Sequence, residues 1–90
     1  MNVESDPEKE AANLAKHGID FSTVEVALSD PKLLVRIDEA HSTEQETRYY
    51  GAGNDGRGVL TVRFTLRGKT VRVFGAGYWR KQRKDYEKQK

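Results

Sequence analysis

The chain has 90 residues, 36% hydrophobic and 33% charged, so it can build one domain with a thin core and a heavily charged surface. It has no cysteine, which excludes disulfides and thiolate metal sites and suits a reducing cytoplasm; two histidines without a carboxylate cluster argue against a structural metal. No apolar run is long enough to cross a bilayer, and the opening MNVESDPEKE lacks the basic-then-apolar order of a signal peptide.

The net charge of +2 is unevenly spread. From Tyr78 onward Arg80, Lys81, Arg83, Lys84, Lys88 and Lys90 stand against Asp85 and Glu87, so that segment carries +4 and the remainder −2. A basic end of this kind suits either RNA or an acidic partner.

Asp6 before Pro7 offers a side-chain cap followed by a preset φ, so a helix is expected over Pro7–His17, stopped by Gly18. His17 then lies where a cation satisfies the last helical carbonyls. A second short helix is expected from Ser22 to about Leu28, with Glu25 completing a capping box and Asp30-Pro31 ending it. After Pro31 the period shortens to that of strands. Strands are expected at Leu33–Ile37, Glu46–Ala52, Val59–Arg67 and Lys69–Phe74, with a polar loop holding His41-Ser42 and turns at Asn54-Asp55-Gly56 and Arg67-Gly68. Gly75-Ala76-Gly77 should break the sheet, and Trp79 should open a basic terminal helix. The expected fold is α+β in a single domain, 1–90: two N-terminal helices, a four-stranded antiparallel sheet with its helices on one side, and a C-terminal helix.

Alternation puts Leu60, Val62, Phe64 and Leu66 on one side of their strand, matched by Val71 and Val73 in the next. The opposite side carries Arg63 and Arg72, and Arg48 can join them. Three guanidinium groups near aromatics would form a phosphate-binding surface, unless they are ordinary charges on a solvated face. Gly51-x-Gly53 and Gly75-x-Gly77 lack the strand-to-helix context of a nucleotide loop. Trp79 is expected to pin the last helix to the sheet, with Tyr86 packed beside it.

The ordered series Asp6-Pro7, Asn13-Leu14-x-Lys16-His17-Gly18 with Phe21, Asp30-Pro31, His41-Ser42, Glu46-x-Arg48-Tyr49, Gly58 and Val71-Arg72-Val73 resembles the BrnT toxins over nearly the whole chain. The resemblance implies a RelE-like fold and a toxin of a type II toxin–antitoxin module, bacterial and cytoplasmic. Its activity would be metal-independent, cofactor-free endoribonuclease cleavage of RNA that inhibits translation. Its partner would be a BrnA-like antitoxin that binds operator DNA in the complex. Cleavage would proceed by 2′-hydroxyl attack, with Arg48, Arg63 and Arg72 binding phosphate and His41 exchanging a proton. Tyr50 and Tyr78 would stack a base or donate a proton, and the basic residues Arg80, Lys81, Arg83 and Lys84 would contact RNA. One departure stands out: the commoner family ending of the last strand, Ser-Ala-Arg, is Gly75-Ala76-Gly77 here, which removes a hydroxyl and a guanidinium. Arg80 is a candidate replacement for that cation. The departure also motivates an alternative, a non-catalytic RNA- or antitoxin-binding module of the same fold.

Overall fold

The computed structural model describes residues 2–5, 7, 8, 12 and 16–89. Its elements are β1 (Asn2–Ser5), α1 (Phe21–Leu28), β2 (Leu34–Ile37), β3 (Arg48–Asn54), β4 (Val59–Arg67), β5 (Thr70–Gly77) and α2 (Arg80–Lys88). The β-branched, alternating run of β4 sits at the centre of the sheet, whose order is β1-β5-β4-β3-β2. Strands β2 to β5 form an antiparallel meander, while β1 lies parallel to β5, with Val3 opposite Val71 and Glu4 opposite Arg72.

This architecture corrects the expected one. The sheet is five-stranded and mixed rather than four-stranded and antiparallel, and its continuous helices are one mid-chain and one C-terminal rather than two N-terminal and one C-terminal. The helix expected over Pro7–His17 falls largely on residues 9–11 and 13–15, which lie outside the described residues. Strand β1 has four residues and a single apolar one, Val3, too few to show a period. Its pairing is fixed by β5, more than sixty residues away in sequence.

The glycines at 75 and 77 do not break the sheet either. Strand β5 continues to Gly77, because Phe74 is extruded as a bulge between the pairs Phe64–Val73 and Arg63–Gly75. Beyond the bulge Ala76 is buried in the core.

Asp20, not Ser22, caps α1: its Oδ1 accepts from the Thr23 backbone N–H at 2.9 Å and from the Thr23 hydroxyl at 2.8 Å. These bonds, the backbone one first, hold the Asp20 carboxyl below its ordinary range. Ile19 together with Val24, Ala27 and Leu28 of α1 buries Leu60, Val62, Phe64, Val71, Val73 and Ala76. That is the apolar side read from the sequence, except that Leu66, at the β4–β5 hairpin end, is half exposed.

The two helices take opposite sides of the sheet rather than sharing one. Gly53, on the core side, meets α1, whereas Ala52 and Tyr50, on the other side, meet Gln82 and Asp85 of α2. The α1 contact requires glycine: a Cβ on Gly53 would stand 2.1 Å from the Ala27 carbonyl oxygen. Since both partners there are backbone, neither can swing aside. Gly53→Ala should therefore force α1 off the sheet and cost about 1–3 kcal/mol, measured as a lower urea midpoint. A wild-type midpoint would show that the approach of α1 to β3 is looser than described.

Candidate active site

The polar stretch between β2 and β3 is a closed loop rather than a loose one. The Asp38 N–H donates to the Arg48 carbonyl at 2.8 Å, and the Ser42 hydroxyl donates to the Asp38 carbonyl at 2.7 Å while accepting from the Arg48 N–H at 2.9 Å. Ser42 is thus spent on backbone, which leaves its neighbour His41 as the side chain the loop presents. Asp38 Oδ2 accepts from His41 Nδ1 at 2.9 Å. In the neutral ring this bond assigns the proton to Nδ1 and leaves a lone pair on Nε2.

Arg63, from β4, closes the cluster. Its Nη2 lies 3.3 Å from His41 Nδ1 and 3.5 Å from Nε2, close to both ring nitrogens. The same nitrogen is 3.8 Å from Asp38 Oδ2. Asp38 is only 17% exposed, against 51% for His41 and 43% for Arg63, so the carboxylate is the fixed member and the other two reach solvent.

Beside this cluster an open groove of about 720 Å³ runs between the sheet and α2. Ile37, Tyr50, Thr61 and Arg63 face it from the sheet, Trp79, Lys81 and Gln82 from the other side, and Asp38 and Glu39 from the loop. Thr61 forms part of its floor and is 2% exposed; its Oγ1 has no hydrogen-bond partner among the described residues. A smaller hollow of about 180 Å³ continues past Asp38 and Arg63 to His41, Arg48 and Phe74. Arg63 and Asp38 border both.

Register puts Arg48, Thr65 and Arg72 in one row across β3, β4 and β5, so the three arginines do share a face. All three also have acidic partners. Arg48 donates through Nε to Glu46 at 2.9 Å, with its guanidinium 4.1 Å above the Phe74 ring, and Arg72 meets Glu4 of β1 at 3.0 Å. Arg63 has the longest of these contacts and is the arginine in the groove.

Other candidates lie apart. The Tyr78 hydroxyl donates to the Asp55 carboxylate and accepts from Arg57 Nη2 at 3.2 Å, so the ring is engaged at the β3–β4 turn. Burial, and then Asp55, push its phenol above the ordinary value. On α2, Lys81 lines the groove and contacts Asp85 at 3.5 Å, Arg83 lies 4.0 Å from Glu87, and Arg80 and Lys84 are exposed outside the groove lining. Asp38 was not read as a site residue from sequence. Its signal was the Asp38-x-x-His41 spacing, which a turn converts into contact. Trp79, expected to serve as an anchor, also lines the groove.

A family model described as "Ribonuclease toxin, BrnT, of type II toxin-antitoxin system" matches residues 6–83. The chain belongs to the BrnT family. A comparison with curated proteins gives no match. The matched span contains the loop, strands β2 to β5 and every groove-lining residue of this BrnT protein, reaches into α2 and leaves out β1. Membership makes it a ribonuclease toxin of a type II system, for which an antitoxin is the partner. Among the described residues, no helix is long and apolar enough to cross a membrane, and no three His, Asp or Glu side chains are grouped to hold a metal ion.

The groove exists because α2 is held over the sheet, and that hold is polar. Tyr86 donates its hydroxyl to Asp30, and this bond, more than partial burial, raises the phenol to about 12. Asp30 is held below its ordinary value by Tyr86 first, then by the Asn54 and Lys32 N–H groups. The raised phenol contributes stability that is complete below about pH 10 and lost as pH rises through about 12. The lowered carboxyl contributes above the ordinary carboxylate range and loses its share as pH falls through the folded value. Tyr86→Phe should cost about 1 kcal/mol at neutral pH, a drop of roughly 4–8 °C in Tm, and should flatten the alkaline limb of a Tm-versus-pH curve. An unchanged curve would show that α2 does not depend on this bond.

Proposed function

We propose that this toxin is an endoribonuclease that cuts RNA with Asp38, His41 and Arg63, on a strand laid in the groove. The observation that carries the reading is the cluster itself: an imidazole oriented by a carboxylate, against a guanidinium, at the junction of two open hollows. His41 Nε2 takes the proton from a 2′-hydroxyl while the Asp38 carboxylate holds Nδ1–H and offsets the positive charge that develops on the ring. The 2′-oxygen bonds to phosphorus and the bond to the 5′-oxygen breaks, giving a 2′,3′-cyclic phosphate and a 5′-hydroxyl. Arg63, with Lys81 across the groove, stabilises the extra negative charge of the phosphorane. The phenol of Tyr50 protonates the leaving oxygen. The scheme uses protein groups alone and needs no metal or cofactor.

The acidic partners of the arginines do not prevent this. At 3.8 Å the Asp38–Arg63 contact is too long for a hydrogen bond and Arg63 reaches solvent, so a phosphate can approach the guanidinium without displacing a close acidic partner. Arg48 and Arg72 serve as a second rank of charge along the sheet face. Cutting RNA would arrest translation in the cytoplasm, and a BrnA-like antitoxin would neutralise the toxin and carry the complex to operator DNA. The reading of a non-catalytic RNA- or antitoxin-binding module draws on one observation, the missing Ser and Arg at Gly75 and Gly77. Cleavage by the purified toxin in the presence of chelator separates the two.

His41→Ala and Arg63→Ala should each slow cleavage by roughly 10²- to 10³-fold and relieve growth arrest on induction. Arg72→Ala should stay within a few-fold of wild type, because Arg72 lies beside β1 and Glu4, outside both hollows. Full activity in both of the first two variants would sink the assignment.

A further inference from the structure

Trp79 is 39% exposed, although a residue whose only task is to anchor a helix would be expected to bury its ring. The six-membered ring of its indole rests on bare backbone: a Cβ on Gly77 would stand 2.7 Å from Cζ2 and 2.8 Å from Cη2. Gly77 pairs with Thr61, so the ring sits on the groove side of the sheet. The Arg63 guanidinium carbon is 5.9 Å from the indole centroid, at the outer reach of a cation–π contact. The arginine is therefore near the ring without covering it closely. The groove thus sets an open aromatic surface beside a cation that also touches the His41 imidazole.

A flat apolar surface next to a phosphate-competent guanidinium matches a ligand that joins a planar ring to an anion. A nucleotide has that chemistry. We infer that Trp79 is the stacking platform for a nucleobase of the RNA strand whose phosphate lies at Arg63. The inference rests on the groove being an RNA site and goes further by assigning a base subsite. Stacking on an indole uses the face that every base possesses, so this subsite holds the strand in place without selecting one base. Gly77 is part of the subsite, since any larger residue there lifts the indole off the sheet.

Trp79 is the only tryptophan in the chain, so its emission reports on this position alone. The probe is a tetranucleotide of adenosines with 2′-O-methyl groups, which cannot be cut by 2′-hydroxyl attack, and its binding to the full chain is followed by calorimetry and by emission together. Binding should quench or shift the emission. The same ribose–phosphate backbone without bases should bind roughly 5- to 100-fold more weakly to wild type. Trp79→Leu should lose most of that preference for bases, and Trp79→Phe should keep most of it.

RNA that binds by calorimetry with unchanged emission would overturn the inference, as would wild-type affinity that is indifferent to the bases. Both measurements use the unmodified protein, so they stand even if a variant fails to fold. Emission that responds to the antitoxin but not to RNA would assign the indole to a protein contact and overturn it too. If the probe binds and quenches while the unmethylated strand is never cut, the subsite stands and the ribonuclease chemistry falls. No binding of the probe would overturn both.

Discussion

A single carboxylate joins the parts of the molecule that make the groove. Asp30, just past the end of α1, accepts from the Lys32 N–H at the approach to β2, from the Asn54 N–H at the end of β3, and from the Tyr86 hydroxyl on α2. Helix α2 has no buried residue of its own. Without an apolar stripe it cannot be held by the hydrophobic effect, and its position depends on this bond, on the Gln89 amide donating to the Lys32 carbonyl, and on the Trp79 ring lying on Gly77. Remove them and the groove becomes one open side of a sheet. The proposed site is therefore roofed by an element with no buried residue, the kind that opens at low cost in local unfolding.

The two sides of the sheet consequently work under different rules. The α1 side is apolar and closely packed, with Gly51 and Gly53 of β3 bringing the helix and Leu33 within contact distance. The α2 side carries charge, and its members are set by hydrogen bonds and exposed ion pairs, each worth little alone. What such pairs supply is position. Glu46 and the Phe74 ring fix Arg48, and Asp38 fixes His41 and restrains Arg63, so the cations are not splayed into solvent before an anion arrives. Fixing donors in advance lowers the reorganisation needed when negative charge develops nearby.

How much of this could be read from the chain depended on the range of the interaction involved. The alternation of Val59–Arg67 gives that strand to the residue and puts Arg63 on the correct side, because the strand period is a local property. Strand β1 was invisible, since its partner is β5 and four residues hold no pattern. Backbone freedom marks Gly75 and Gly77 as breakers, whereas both lie within β5 and at Gly77 the lack of a side chain seats an indole. The same limit applied to the site. His41 was legible as an imidazole in a polar loop, but Asp38 became its partner only through the turn that Ser42 closes, and the placing of Tyr78 followed from Asp55 and Arg57 across the fold.

Gly77, where the resemblance to the BrnT toxins leads one to expect an arginine, also has a physical role. A side chain at position 77 would occupy the space in which the Trp79 ring lies, so guanidinium and indole are alternatives for one patch of sheet. In this chain the groove draws its positive charge instead from β4, through Arg63, and from the first turn of α2, through Lys81. A phosphate held by those two groups would lie against the indole, so charge and stacking surface meet on the same few residues of backbone.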